Sequence, residues 1–481
     1  MKIIVSNVIK IEKPTKEMKD FCIKELTFKN PEYQKKLKMG FYAYGTPKDI
    51  KLYDIYENDI YVPVGFFNEI WKKHPIVKDY VDYTVTVPID VSSKIVLREY
   101  QKPCLRAVEE NYTGILNLPC GTGKTVVATE CICHLKQKTL WLTHTIDLVN
   151  QAKDTAEELT TIKTSLITEG KCDTSGDVVY GTVQSVIKFV ENGVLKPNMF
   201  GMIVHDECQH LSANPKSIQM FRKCIEHFAA RYRIGLSATV WRADGLDPCI
   251  LKIIGDVIYK MEQYKKVYRC IYNDEVLLEI PVDKFQVPAK IKVIETNYDI
   301  LDKPVYDKNG GTLQFATLVS NLAEDKERND LIVATLKTVK GSTIVLSDRI
   351  SQLEYLASKF NDSVLVTGST PKKLREQSLN DVRNGKVKYL FASYQLAKEG
   401  LNCTILENLV MATPVKTFST VVQSIGRIQR PHGNKQVACV YDFVDNVGML
   451  YGFYNKRRSI YRKNNWEIEN IYLGGENKWY Y

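Results

Sequence analysis

The chain has 481 residues, 44% hydrophobic and 25% charged, with 66 Lys and Arg against 56 Asp and Glu for a net charge of +10. That length suits about three domains at ~150 residues each, and the composition is that of an ordinary globular protein. No apolar run reaches the ~18 residues of a membrane helix, and the twelve cysteines are scattered without a Cys-x-x-Cys pair, which sets aside a helical membrane protein and a disulfide framework.

The excess of positive charge favours polyanionic partners without requiring one. Several cysteines sit inside apolar runs such as "QVACVYDF", so reduced, mostly buried thiols in a cytosolic compartment are expected. The opening "MKIIVSNVIK" holds too short an apolar run for a signal peptide, and a cytoplasmic protein is the expectation.

Residues 1–92 are rich in Lys and Tyr and broken by turn signals at "NPEYQ", "YGTPKD" and "YVPVG". Ten Lys face five acids within residues 1–40. This suits a small accessory domain that binds DNA, the competing reading being a solvated basic face. From 93 to 262 the apolar runs "TGILNLP", "TLWLTH", "DVVYGT", "FGMIVHD" and "RIGLSAT" alternate with amphipathic stretches, the pattern of parallel strands in an α/β domain. Residues 263–285 read as an extended connection. A second series, "STIVLSD", "DSVLVTG", "VKYLFAS", "ENLVMATP" and "QVACVYDFV", fills 286–455 and predicts a second domain of related architecture. In such folds ligands bind at the carboxyl ends of the strands. Residues 456–481 form a basic and aromatic tail; from Tyr451 onward there are nine aromatics and six Lys or Arg. Such a segment suits either base stacking or a docked terminal helix, and Lys456, Arg457, Arg458, Arg462 and Lys463 are candidate DNA contacts.

Two motifs carry the chemistry. "LNLPCGTGKTVVA" places Gly121, Gly123, Lys124 and Thr125 between an apolar strand and a helix. Glycines there let backbone N–H groups surround phosphate oxygens at a helix N-terminus. Lys124 would reach the β- and γ-phosphates of ATP and the Thr125 hydroxyl would hold Mg²⁺. The strict pattern has Gly where this chain has Leu118, so the shorter Gly-x-Gly-Lys-Thr form is the one present. In "GMIVHDECQH", Asp206 would hold Mg²⁺ through its water shell while Glu207 orients or deprotonates the attacking water. His205, Cys208 and His210 suggest zinc, but neighbouring strand residues point to opposite faces, so the nucleotide reading is preferred.

Together these residues resemble motifs I and II of the superfamily 2 helicases and translocases, and further motifs follow in family order. "LREYQ" is similar to the adenine-reading Gln motif, with Arg98 and Gln101; "LTHTIDLVNQ" and "YGTVQSV" to motifs Ia and Ib; "LSAT" to motif III. "IVLSDRISQLEYL", "ASYQLAKEGLN" and "QSIGRIQRPHG" resemble motifs IV, V and VI. "LPCGTGK", "SATVWRADGL" and "YQLAKEGLN" point to the XPB-like branch, which includes phage branch-migration helicases and the poxvirus transcript-release helicase. The resemblance implies two tandem RecA-like P-loop domains of α/β class behind a small N-terminal accessory domain.

It also implies that Pro119, Cys120, Thr122, Gly400 and Asn402 help to bind the nucleotide. Ser237, Thr239 and His210 would couple the two lobes. Gln423, Arg427 and Arg430 are spaced for one helix face, from which the arginines would neutralise charge on the transferring phosphoryl group. Thr145, Gln184, Ser185, Arg349, Thr367 and Gln395 are candidate nucleic-acid contacts, since short hydroxyls and amides suit phosphate oxygens; the competing reading for each is a helix cap. Val240, Asn402 and Glu99 depart from the family's usual Pro, Asp and Pro, and Asn402 would weaken interlobe coupling. The function implied is an ATP-dependent DNA helicase or translocase acting on single-stranded, forked or branched DNA in replication, recombination or repair. Alternatives are an RNA helicase or transcript-release factor, the motor subunit of a restriction-type complex, and a binding scaffold with a vestigial motor.

Overall fold

The computed structural model describes residues 1–73, 80–119, 121–209, 215–238, 245–298, 314–399, 403–415 and 417–471. It divides into two compact units, Met1–Ile280 and Pro281–Tyr481.

The first unit begins with β1 (Lys2–Val5), β2 (Ile9–Glu12), β3 (Thr27–Lys29), β4 (Asp49–Lys51), β5 (Asp54–Tyr56), β6 (Asp59–Val62) and β7 (Tyr80–Asp82). β3 and β4 pair as a ribbon, and the others form a sheet in the order β5-β6-β2-β1-β7. Side chains alternate buried and half-buried along β1 and β2, so one face is left to pack. That face joins a larger core: Ile3, Ile11 and Phe66 belong to the same apolar cluster as Ile225, Ile250 and Ile254. A Cβ on Gly65 would lie 2.5 Å from the backbone nitrogen of Gly255, so only glycine allows this approach. Arg233 is buried and donates to the carbonyls of Ser6 and Asn7 at 3.0 and 3.1 Å. Arg222 joins Asp54 to Glu226 at 2.5 and 2.8 Å. The accessory domain is thus packed into the first unit rather than tethered to it.

Seven strands follow in that unit's larger sheet: β8 (Thr113–Asn117), β9 (Thr139–Thr143), β10 (Thr164–Ile167), β11 (Val178–Thr182), β12 (Met202–His205), β13 (Tyr232–Ser237) and β14 (Val257–Tyr264). They pair in parallel, and β15 (Val267–Tyr272) and β16 (Glu275–Pro281) extend the edge, in the order β10-β11-β9-β12-β13-β8-β14-β15-β16. The segment expected as a connection therefore differs from its reading. Residues 267–272 alternate half-buried and buried, a period of two that suits a strand with one face packed, and the unit boundary falls at Ile280 and Pro281.

The second unit has β17 (Ala289–Thr296), β18 (Thr343–Ser347), β19 (Ser363–Val366), β20 (Tyr389–Ser393), β21 (Asn408–Met411), β22 (Ala438–Asp445) and β23 (Glu467–Ile471). Their order is β19-β20-β18-β21-β22-β17-β23. Counting strands from β8 and from β17, both sheets read third, fourth, second, fifth, sixth, first, seventh. The two units thus carry the same doubly wound RecA-like architecture, as the sequence implied.

The described part of the tail, through Ile471, is also part of the fold. The helix Gly448–Lys463 lays Leu450, Phe453, Tyr454, Arg457, Ile460 and Tyr461 inward, and β23 completes the sheet. Arg457, expected on a DNA path, is only 1% exposed. It donates to both oxygens of Asp442 at 2.9 and 2.8 Å and to the carbonyl of Val415 at 2.9 Å. The helical repeat places position 457 on the buried stripe, leaving Lys456, Arg462 and Lys463 exposed and Arg458 half-buried. Among the described residues no helix is long and apolar enough to cross a membrane. The described cysteines carry free thiols, nine of them buried and two half-buried.

Candidate nucleotide site

β8 runs into a tight loop that opens the helix Lys124–Leu135. Gly121 and Gly123 both hold φ near +84°, a left-handed conformation that glycine adopts without cost. The loop is braced from below. Gln101 Nε2 donates to the Thr122 carbonyl at 2.9 Å, and the Tyr100 hydroxyl donates to the same oxygen at 3.0 Å. Thr122 Oγ1 donates in turn to the Pro119 carbonyl at 2.7 Å. Gln101 Oε1 accepts from the Arg98 backbone at 2.9 Å, and the Arg98 guanidinium donates to the Tyr100 hydroxyl at 3.1 Å. The pair expected to read adenine is therefore joined to the loop's shape through Tyr100, which the sequence did not single out.

β12 delivers the carboxylates to the same end of the sheet. Asp206 is buried, and its backbone N–H donates to the Leu142 carbonyl at 3.0 Å, while its side chain accepts the Glu207 N–H at 2.9 Å. Glu207 adopts a φ of +50°, a strained choice for a side chain and of the kind found at functional turns. Lys124 Nζ lies 3.6 Å from Glu207 Oε1, with both side chains largely shielded. Burial, and then the neighbouring Glu207 charge, push the Asp206 carboxyl well above its usual range, while Lys124 pulls it back. Two adjacent carboxylates therefore stand beside the Lys124 ammonium at the carboxyl end of the sheet. The oxygen donors of Asp206 and the half-buried Thr125 fit a hard cation, and these two residues would hold Mg²⁺.

His205 and Cys208 are committed to the core. The His205 ring packs edge-on against Phe221 at 4.5 Å between centroids, and burial lowers its pKa to about 3, so it stays neutral. Cys208, read as a spacer, is buried in the apolar core, and burial pushes its thiol up. Gln209, which the sequence reading passed over, joins two motifs. Its Nε2 donates to the Glu207 carboxylate, and its Oε1 accepts from the Ser237 hydroxyl at 2.6 Å. An amide has both the donor and the acceptor needed to bridge an acid and a hydroxyl; its position two residues past Glu207 was the available signal. Ser237 thus stands at one end of a chain to the acid, at the carboxyl end of β13. Cys120, His210, Thr239, Gly400 and Asn402 lie outside the described residues.

In the second unit, Gln423 and Arg427 sit on the helix Phe418–Ile428. Arg430 does not share that helix, which ends at the cap residue Gln429, because the following Pro431 disfavours the helical conformation at position 430. Thr145, Gln184, Ser185, Arg349, Thr367 and Gln395 each follow the carboxyl end of a strand, within their own units. Thr145 caps a helix by accepting the Leu148 N–H at 3.5 Å. Ser185 is buried, its hydroxyl accepting from Thr182 at 3.0 Å, whereas Gln184 beside it is exposed. The Thr367 hydroxyl pairs with Ser369 at 2.9 Å, and Arg349 donates to Ser320 and to the Ala316 carbonyl at 3.0 and 2.9 Å. Gln395 is exposed on the helix that follows β20.

Comparison with known proteins gives the same outline. Residues 94–242 match the family model described as the res subunit of type III restriction enzymes, and residues 326–432 match the helicase conserved C-terminal domain. A protein of Acanthamoeba polyphaga mimivirus, assigned by name as an ATP-dependent RNA helicase, is 27% identical over 77% of this chain and 67% of its own length. The DNA 3'-5' translocase XPB2 of Sulfurisphaera tokodaii is 28% identical over 71% of this chain and 80% of its own length. A helicase of Escherichia phage T5 is 25% identical over 97% of this chain and 95% of its own length, so the likeness takes in the accessory domain as well.

Proposed function

This chain belongs to the superfamily 2 helicases of the XPB-like branch, and from that premise we propose that it is an ATP-driven motor on DNA that unwinds, branch-migrates or remodels duplexes in replication, recombination or repair. The observation that carries the reading is the chain from Lys124 through Glu207 and Gln209 to Ser237. It joins the phosphate loop, the acid and the end of β13 in one network, so occupancy of the loop is felt at a strand end.

In this reading Lys124 leaves Glu207 for the β- and γ-phosphates of ATP. Glu207, relieved of its ion pair, orients and deprotonates the attacking water. Thr125 and Asp206 would hold Mg²⁺, which would supply charge neutralisation at the phosphates. Arg427 and Arg430 offset charge on the transferring phosphoryl group, a contribution worth about 10³–10⁵ in rate where it has been measured. Gln209 and Ser237 pass the state of Glu207 outward. Exposed Gln184, Gln395, Lys456, Arg462 and Lys463 and half-buried Arg458 remain as contacts to the nucleic-acid backbone.

DNA is favoured by the translocase relative, while the mimivirus relative's name keeps RNA in the comparison. ATP hydrolysis measured with single-stranded DNA, forked DNA, four-way junctions and RNA side by side tests the reading. Stimulation by DNA, abolished in Lys124→Ala and Glu207→Gln, is expected. Preferential stimulation by RNA would replace the DNA reading with the RNA one, and undiminished hydrolysis in either variant would remove the site assignment.

A further inference from the structure

Between β3 and β4 the accessory domain projects a finger that the nucleotide site does not use. It comprises the helix Pro31–Lys38 and the loop that returns to Lys48. Its base is fastened: Asn30 is fully buried, caps the helix through the Glu32 N–H at 3.0 Å and donates to the Pro47 carbonyl at 2.6 Å. The helix end is closed by the Phe41 N–H on the Lys36 carbonyl at 2.9 Å, with Gly40 at φ +73° making the left-handed turn that such a closure requires. Lys36 Nζ ties back to Thr46 at 2.6 Å.

Despite this ordered frame, the helix buries none of its residues. The loop turns its rings outward: Phe41 is 60% exposed, Tyr42 98% and Tyr44 100%. Leu37 and Met39 are exposed beside them. Large apolar side chains exposed together along residues 37–44 on a hydrogen-bonded frame mark a contact surface. Its charge specifies the partner. The segment 30–48 carries four lysines and one acid, and that acid, Glu32, is paired with Lys36 at 3.2 Å. Lys35, Lys38 and Lys48 are exposed on the same short segment as the rings.

We propose that this finger binds unpaired nucleotides, with bases stacking on Phe41, Tyr42 and Tyr44 and phosphates held by Lys35, Lys38 and Lys48. The proposal rests on the DNA-motor reading and adds to it a strand-holding element outside the motor lobes. Flat rings on a rigid stem accept any base, so the contact is sequence-independent, and it engages where a duplex opens and leaves bases unstacked.

The test uses the full chain and a forked DNA with 2-aminopurine in one single-stranded arm. Wild-type protein should change the probe's fluorescence on binding, as a base does when it stacks on a ring. Replacing Phe41, Tyr42 and Tyr44 with Ala should remove most of that change and weaken binding of the arm by about tenfold or more, the order expected for losing a stacked base. Tyr42→Phe with Tyr44→Phe should keep both, because the ring and not the hydroxyl is used. DNA-stimulated ATP hydrolysis on a blunt duplex should persist in all variants. A triple variant with wild-type fluorescence change and arm affinity overturns the proposal and leaves the patch to a protein partner. Loss of DNA stimulation in the wild-type protein itself would instead retire the motor reading, so the two failures are told apart.

Discussion

The two units share one strand order, yet Asp206 in the first and Asp442 and Asp445 in the second meet different surroundings. In the first, Asp206 and Glu207 stand side by side at the end of β12 with Lys124 Nζ 3.6 Å from Glu207, and the Asp206 carboxyl is pushed up by burial and by its neighbour. In the second, Asp442 and Asp445 on β22 each receive a guanidinium. Arg457 holds Asp442 at 2.8 Å and Arg328 holds Asp445 at 2.7 Å, all four side chains being buried. The same two arginines donate to the carbonyls of Val415 and Ala412 at 2.9 and 2.6 Å, fixing the segment that leads from β21 toward the helix bearing Arg427. Burial and the Glu207 charge hold the Asp206 carboxyl up where a ligand brings charge, whereas Asp442 and Asp445 hold arginines that fix backbone. Topology alone does not distinguish the units; the surroundings of these acids do.

The largest effect should come from the second unit's contribution to the chemistry. Arg427→Ala should lower kcat for ATP by about 10³ or more with nucleotide affinity little changed, read by steady-state hydrolysis and equilibrium binding. A wild-type rate would confine this unit to structure and grip. Next come the acids themselves. Asp442→Asn strands the buried Arg457 charge and should destabilise the second unit by about 3–5 kcal/mol in urea unfolding. Asp206→Asn removes a like-charge repulsion and should leave stability unchanged or raised while ATP hydrolysis falls by about 10²-fold or more. If both substitutions destabilise alike, the contrast between the units is lost. The smallest effect is expected at the relay. Gln209→Ala should keep most basal hydrolysis and lower its stimulation by DNA about tenfold, the size of one broken charge-assisted link. Unaltered stimulation would show that Ser237 acts without it.

Much of the site was legible in the sequence because its chemistry is local. Gly121, Gly123, Lys124 and Thr125 lie in one turn between a strand and a helix, and Asp206 and Glu207 end one apolar run. The errors have a common source in side-chain direction. Arg457 read as a DNA contact because a run of bases looks solvated, but the helical repeat turned it onto Asp442. Ser185 read as a grip and is buried against Thr182. Gln209 was passed over because its value lies in Ser237, which is distant in sequence and adjacent only across paired strands.

By itself, then, the sequence determined the fold class, the two repeated α/β units and the phosphate loop with its acids, since hydrophobic periodicity and short motifs act over a few residues. Only the tertiary structure decided that residues 263–280 extend the first sheet, that the accessory domain shares the first unit's core, and which charged groups face inward. Those outcomes depend on pairing across long separations, where the free energy of burying a charge is settled by the partner that the fold brings to it.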